Sequence, residues 1–61
     1  MTEMERVFMK RDRETAREAR EHRQGLMEDF YQMIESGCDY DDIEDLLYNE
    51  GLEMDYIFDL M

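Results

Sequence analysis

Carboxylates along the segment from Asp39 to Glu50, DYDDIEDLLYNE, suggest a calcium site at first sight. Acids occupy the first, third and twelfth places, where a calcium-binding EF-hand loop has ligands. That loop also needs an oxygen ligand in its fifth place and glycine in its sixth, and these places hold Ile43 and Glu44. The apolar residues of the segment have the spacing of a helix instead. We therefore expect a helix here, and no metal ion or cofactor in the protein.

The side chains that could support covalent catalysis are few. His22 stands in a charged stretch, and Glu18, one helical turn earlier, predicts an i,i+4 pair with it. Cys38 is followed by acids and lacks the neighbouring positive charge that favours a thiolate. A nucleophile also needs a base and an oxyanion site, so we expect a protein that is not an enzyme.

The basic residues lie together, in KRDRETAREAREHR. Between Lys10 and Arg23 there are six basic residues against four acids. Arginine-rich helices do bind nucleic acids, but phosphate repels a chain whose net charge is −11. The stretch is typical of a solvated helix face with ion pairs, and we expect no direct contact with nucleic acid.

Charge is divided unequally along the chain, and this division is the strongest functional signal in the sequence. Residues 1–25 contain all seven Lys and Arg with six acids, whereas residues 26–61 contain twelve acids and no base. Uncompensated carboxylates repel one another and cost folding energy, so we interpret them as a surface that binds a strongly basic protein. The residues expected to contact that partner are Tyr40, Asp41, Asp42, Glu44, Asp45, Tyr48, Glu53, Asp55, Tyr56 and Asp59.

The segment GCDYDDIEDLLYNEGLEMDYI loosely resembles a helix-turn-helix, with a glycine, a capped helix, paired leucines and a turn before a second helix. A DNA-reading helix presents Arg, Lys, Asn or Gln to the bases, whereas the second helix here offers Glu53, Asp55 and Asp59. Such a surface cannot lie on DNA, but it can occupy the place of DNA on a protein. We therefore predict a small regulator or inhibitor that mimics nucleic acid, of the type that phages and mobile elements direct at host nucleic-acid-binding proteins.

Two other interpretations stay open. The stretch EDLLYNEGLEMDYIFDLM resembles acidic transcriptional activation segments, in which acids keep bulky apolar residues exposed for a coactivator groove. This resemblance implies a tail that is disordered until it is bound, attached to a dimerising helix. The other interpretation is a structural homodimer whose acidic surface has no specific partner and only maintains solubility.

The elements that position these residues are expected to be helical, in one small all-α domain of residues 1–61. Proline is absent and strong helix formers dominate. Thr2 and Glu5 form a capping box at the start of a long amphipathic helix of mixed charge, which we expect over residues 1–36 without a break at Gly25. One stripe at helical spacing follows its whole length: Met4, Phe8, Thr15, Ala19, Arg23, Leu26, Phe30 and Met33.

Residues 37–61 are expected to form an acidic helical hairpin. Gly37 suits the left-handed position after the first helix, and Asp39 suits the cap of the next. We predict a second helix over Tyr40–Asn49, a stop at Gly51 and a third helix over Glu53–Leu60. The residues expected to face inward are Ile43, Leu46 and Leu47, followed by Ile57 and Leu60 with Phe58 or Met61.

A helix over residues 1–36 is longer than the remaining chain can cover. Met4, Val7 and Phe8 would then be exposed in a monomer, so we predict a homodimer in which the N-terminal halves of this helix pack on each other or on the partner's acidic hairpin. No apolar run is long enough to span a membrane, and a lone cysteine fits a reducing compartment. We therefore expect a cytoplasmic protein without membrane contact.

Overall fold

The structure is a computed structural model that describes residues 1–61, and it contains helices but no strands, as the all-α prediction requires. The helices are α1 (Glu3–Arg11), α2 (Ala16–Glu35), α3 (Tyr40–Asn49) and a terminal 3₁₀ helix (Met54–Asp59). α1 and α3 both pack against α2, and the terminal 3₁₀ helix contacts α1 and α3. None of these helices combines the length and the apolar character needed to cross a bilayer.

The prediction of one continuous helix over residues 1–36 is wrong. The helix does continue through Gly25, but the chain turns much earlier, between Arg11 and the start of α2. Asp12 closes α1 by donating its backbone N–H to a carbonyl of the preceding turn, and Arg13 adopts a left-handed backbone with φ of 58°. A residue with a side chain seldom takes this conformation, so the packing on either side must favour the turn.

Capping chemistry accounts for the position of this turn. The N–H of Glu18 donates to the Thr15 hydroxyl at 3.2 Å, and the N–H of Thr15 donates to the Glu18 carboxylate at 2.9 Å. This capping box repeats the T-x-x-E pattern that starts α1 at Thr2 and Glu5. The turn folds α1 back so that its apolar stripe packs against α2 within the same chain, which removes apolar surface from water.

The predicted hairpin is confirmed in its first helix and in both glycine stops. α3 has the predicted bounds, and Gly37 and Gly51 have φ of 76° and 72°. The N–H of Asp39 donates to the Asp42 carboxylate at 3.2 Å, at the start of α3. Two left-handed glycines therefore set both ends of the segment that carries most of the predicted contact residues.

The last element differs from its prediction in type and in orientation. The helix predicted over Glu53–Leu60 is a shorter 3₁₀ helix. Leu60 is fully buried and Ile57 is half-buried, but Phe58 and Met61 are 73% and 69% exposed, so their predicted inward orientation is wrong. A 3₁₀ helix has three residues per turn, which aligns positions three apart, such as Ile57 and Leu60, and turns Phe58 away.

One hydrophobic core joins all four helices. Residues of the predicted stripe supply most of it, although Thr15 caps α2 instead and Met33 is only half-buried. In α3, Leu47 is fully buried, and Ile43 and Leu46 are half-buried against the core. The fully assembled core consists of Met4, Phe8, Ala19, Leu26, Phe30, Leu47, Leu52 and Leu60.

The residues predicted to form a dimer interface lie mainly inside a single chain. Met4 and Phe8 are fully buried, and Val7 is half-buried against the core. The exposure from which a homodimer was expected is therefore absent from the folded chain, and the homodimer stays a prediction.

Candidate partner-binding surface

Six carboxylates form a surface that we call the acidic face. The inward positions of α3 are taken by Ile43, Leu46 and Leu47, so the acids between them point to solvent. The segment after Gly51 adds two more, Glu53 immediately before the terminal 3₁₀ helix and Asp55 in its first turn. The acidic face consists of Asp41, Asp42, Glu44, Asp45, Glu53 and Asp55, all of them exposed.

No Lys or Arg neutralises the acidic face. The arginine ion pairs all join acids of residues 1–25. None of the twelve acids of residues 26–61 pairs with Lys or Arg, and Glu50 lies 3.0 Å from His22 Nε2. Because no Lys or Arg of the chain is paired with these carboxylates, their negative charge is not neutralised within the protein and faces solvent.

The two arginines that reach the acidic half bind backbone carbonyls. Arg11 Nη1 donates to the carbonyl of Glu50 at 2.6 Å, and Arg23 Nη1 donates to the carbonyl of Asp59 at 2.9 Å. These carbonyls carry the partial negative charge of helix ends. A Cβ on Gly51 would lie 2.9 Å from Arg11 Nη1, so the close approach also depends on glycine.

Two predicted contact residues have roles in holding the fold. Tyr56 is half-buried and packs against the core. Asp59 is half-buried, and its Oδ2 accepts the backbone N–H of Met4, in the first turn of α1, at 3.0 Å. Asp59 therefore caps a helix 55 positions away in sequence, and we do not include it in the acidic face.

Exposed aromatic and apolar side chains accompany the acids. Tyr40 and Tyr48 are 63% and 77% exposed, which suits the contact role predicted for them. Phe58 and Met61, one of which was predicted to face inward, are both exposed to a similar extent. Aromatic residues are enriched at binding hot spots, so these side chains are candidate anchors for a partner.

A cleft of about 540 Å³ opens between α2 and α3. Its walls include Asp29 from α2 and Asp42 and Asp45 from α3, while Met33 and Leu46 provide apolar surface. Such a cleft suits an Arg or Lys side chain, whose alkyl stem packs on apolar atoms while its charged end meets carboxylates. The sequence analysis missed Asp29 because its neighbours across the cleft come from a different helix.

A second polar cluster surrounds His22, and the predicted pair of His22 with Glu18 is wrong. His22 Nδ1 lies 3.0 Å from Glu14 Oε2, and His22 Nε2 lies 3.0 Å from Glu50 Oε2. The imidazole is stacked on Phe8, with ring centroids 3.8 Å apart and planes at 14°. This cluster joins the turn before α2, α2 itself and the end of α3.

Hydrogen bonds lower the pKa of three carboxyl groups, all in residues 1–25. The backbone N–H of each N-cap threonine holds the pKa of Glu5 and of Glu18 below the ordinary value of 4.5. The Arg11 guanidinium donates to both oxygens of Asp12 and lowers the pKa of that carboxyl, while Asp12 raises the pKa of Arg11. These three carboxylates therefore form hydrogen bonds with residues close to them in sequence.

No protein-family model matches this chain, and no curated protein or solved structure is significantly similar to it.

Proposed function

We propose that this protein is a small acidic regulator or inhibitor that binds a basic surface of a nucleic-acid-binding protein and occupies the place of the phosphate backbone. The observation that carries the proposal is that the six carboxylates of the acidic face are exposed and meet no Lys or Arg of their own chain. A face of one sign costs stability through self-repulsion and accelerates association with the opposite charge.

The cleft between α2 and α3 supplies a place for the partner's side chain. An arginine inserted there would meet Asp29, Asp42 and Asp45 at its guanidinium and Met33 and Leu46 along its stem. Carboxylates arranged on a folded scaffold need no ordering at the moment of binding, which lowers the entropic cost of association. The packing of α3 on the core therefore supports a preformed surface.

A second candidate is an activation-type segment that offers apolar residues to a coactivator groove. The observation that favours it is the exposure of Phe58 and Met61 beside the acids of the terminal 3₁₀ helix. The two candidates differ in what carries affinity: carboxylates for the mimic, and apolar side chains for the groove binder. Replacing Phe58 and Met61 by Ala and, separately, neutralising acids therefore distinguishes them.

The test uses immobilised protein, cell lysate and elution by increasing salt, followed by binding measurements with the purified captured protein. A fourfold variant carries Asp41→Asn, Glu44→Gln, Asp45→Asn and Asp55→Asn. At about 0.5–1 kcal/mol for each exposed charge, we expect it to bind roughly 30- to 1000-fold more weakly at low salt. Double-stranded DNA in excess should compete with the wild-type protein for the same partner.

The matched control removes the same number of charges on α2, through Glu18→Gln, Glu21→Gln, Glu28→Gln and Glu35→Gln, all at exposed positions outside the acidic face, and Gln at position 18 keeps the capping-box pattern. It should keep most of the affinity, because the net charge is equal and only its location differs. Equal affinity of the fourfold variant and the wild type at low salt would exclude the mimic. Loss of binding on replacing Phe58 and Met61 alone would favour the groove binder.

A further inference from the structure

The cluster around His22 brings together three side chains of the kind that hold metal ions. One ligand atom from each of Asp12, Glu14 and His22 lies within 4.8 Å of the other two. Asp12 and Glu14 belong to the turn between α1 and α2, and His22 lies two turns into α2. Their proximity depends on the turn, because a continuous helix would place Asp12 and Glu14 along its length and away from His22.

The spacing is close to that of a metal site. Zinc lies about 2.0–2.2 Å from imidazole nitrogen and carboxylate oxygen, so tetrahedral ligands are roughly 3.3 Å apart. His22 Nδ1 and Glu14 Oε2 are 3.0 Å apart. Shifts of a few tenths of an ångström to about one ångström would bring the three ligand atoms onto one ion, with a fourth position left for water.

The surroundings of the imidazole resemble those of a metal-bound histidine. When Nδ1 faces a metal, Nε2 carries the proton, and Glu50 Oε2 lies 3.0 Å away to accept it. A carboxylate on the far nitrogen is the usual partner of a metal-ligating histidine and fixes its tautomer. Phe8, stacked on the ring, fixes the ring plane.

A second observation is independent of the spacing. Glu14 Oε1 is fully buried and has no hydrogen-bond partner, which is costly for a carboxylate oxygen. Asp12 is held in place by both of its oxygens, which accept from Arg11 at 2.9 Å and 2.8 Å. Glu14 Oε2 faces His22 Nδ1 at 3.0 Å, so a cation bound here would give the remaining oxygen, Oε1, a partner that the protein does not supply.

We propose that Asp12, Glu14 and His22 bind a divalent transition-metal ion of the zinc class, with Glu50 as the outer partner that positions the imidazole. Glu14 and Asp12 supply negative charge to such an ion, Asp12 while it also pairs with Arg11, and the nitrogen ligand favours zinc over calcium or magnesium. The ion would tie the turn before α2 to α2 and, through Glu50, to the end of α3. A chain of this size has little core, so such a staple would stabilise it.

The test is calorimetric titration of zinc chloride into chelator-treated protein, with the melting temperature followed in parallel. We expect one saturable site and a higher melting temperature with zinc, but no rise with calcium at equal concentration. In NMR spectra of the wild-type protein, the His22 ring signals should shift and saturate at one equivalent. If zinc shifts the NMR signals of other residues before those of His22, the proposal is wrong. This result needs only the wild-type protein, so it does not depend on whether the variants fold.

The variants separate this site from the many exposed acids. His22→Gln should abolish the saturable site, and Glu14→Gln should weaken it by more than about 10-fold. Glu50→Gln should weaken it by about 10- to 100-fold while leaving one site, as expected of an outer partner. The control is Asp41→Asn with Asp45→Asn, which should leave zinc affinity unchanged. If His22→Gln binds zinc as tightly as the wild type, the ion sits on the acidic face and the proposal is wrong.

Discussion

Residues 1–25 and residues 26–61 treat their charged side chains differently. In the first region the acids are used locally: Glu5 and Glu18 complete capping boxes, and Asp12 holds Arg11. In the second region, the carboxylates of the acidic face have no cation of their own chain. Acids with internal partners contribute to folding, whereas acids without a cation leave a negative surface; Asp42 belongs to that surface and also accepts the N–H of Asp39 at the start of α3.

Besides the shared hydrophobic core, a few polar contacts join the two regions. Arg11 and Arg23 from the first region close helix ends of the second by donating to carbonyls. His22 reaches Glu50, and Asp59 returns the interaction by capping α1. The basic region thus holds the acidic region in place without neutralising its surface.

The largest expected effect compares two phenylalanines, one from each region. Phe8 is fully buried and stacked on His22, so Phe8→Ala should cost about 3–5 kcal/mol and leave the protein mostly unfolded. Phe58 is 73% exposed, and Phe58→Ala should change stability by less than about 0.5 kcal/mol. Urea unfolding followed by circular dichroism measures both. A large loss of stability in Phe58→Ala would mean that the Phe58 side chain is packed in solution and not exposed.

A smaller effect compares two aspartates of the terminal 3₁₀ helix. Asp59 accepts the N–H of Met4 in α1, so Asp59→Ala should cost about 1 kcal/mol, as for the loss of a helix cap. Asp55 is exposed and belongs to the acidic face, so Asp55→Ala should be neutral or slightly stabilising through reduced repulsion. Urea midpoints give the difference. Equal effects of the two substitutions would mean that the hydrogen bond between Asp59 and Met4 contributes little to stability.

Acid titration should report mainly on the first region. The pKa of Glu5 and of Glu18 is lower in the folded protein than in the unfolded chain. At a pH between the folded and the unfolded pKa, the unfolded chain therefore binds more protons. Their contribution to stability is therefore complete above the ordinary value of 4.5 and is lost as the pH falls through the folded value. Replacing both by Gln should flatten the decline of the urea midpoint below this pH, whereas Gln24→Ala, an uncharged control, should not.

The smallest expected effect is that of salt on the second region. Screening weakens repulsion among exposed carboxylates, so the melting temperature at neutral pH should rise by a few degrees between about 10 and 200 mM sodium chloride. The fourfold variant of the acidic face should show a smaller rise than the control variant with four neutralised acids elsewhere. A salt response that is equal in the two variants would mean that repulsion is not concentrated on the acidic face.

Local chemistry made part of this protein predictable from its sequence. α3 has the predicted bounds because Gly37 and Gly51 adopt left-handed backbone and acids suit its first turn. Helical spacing also predicted the buried residues of α1 and α2, because each helix keeps this spacing although a turn separates them. The uneven charge could be read directly from the sequence, since residues 26–61 contain twelve acids and no Lys or Arg.

Tertiary structure decided what depends on residues far apart in the chain. The turn after Arg11 carries no Gly or Pro, and its one local sign, the capping box at Thr15 and Glu18, competes with a sequence that also suits a continuous helix. Burial of Met4 and Phe8 against α2 favours the turn, because apolar contact outweighs the few helical residues lost.

The partners of His22 lie 8 and 28 positions away, and the residue that Asp59 caps lies 55 positions away. Patterns of one helical turn cannot report such contacts, since they reflect only neighbours within three or four residues. The sequence alone determined that the surface formed by residues 26–61 is acidic, because these residues contain twelve acids and no Lys or Arg. Which acids remain free on that surface, and which are held in the fold, was decided only when the helices packed.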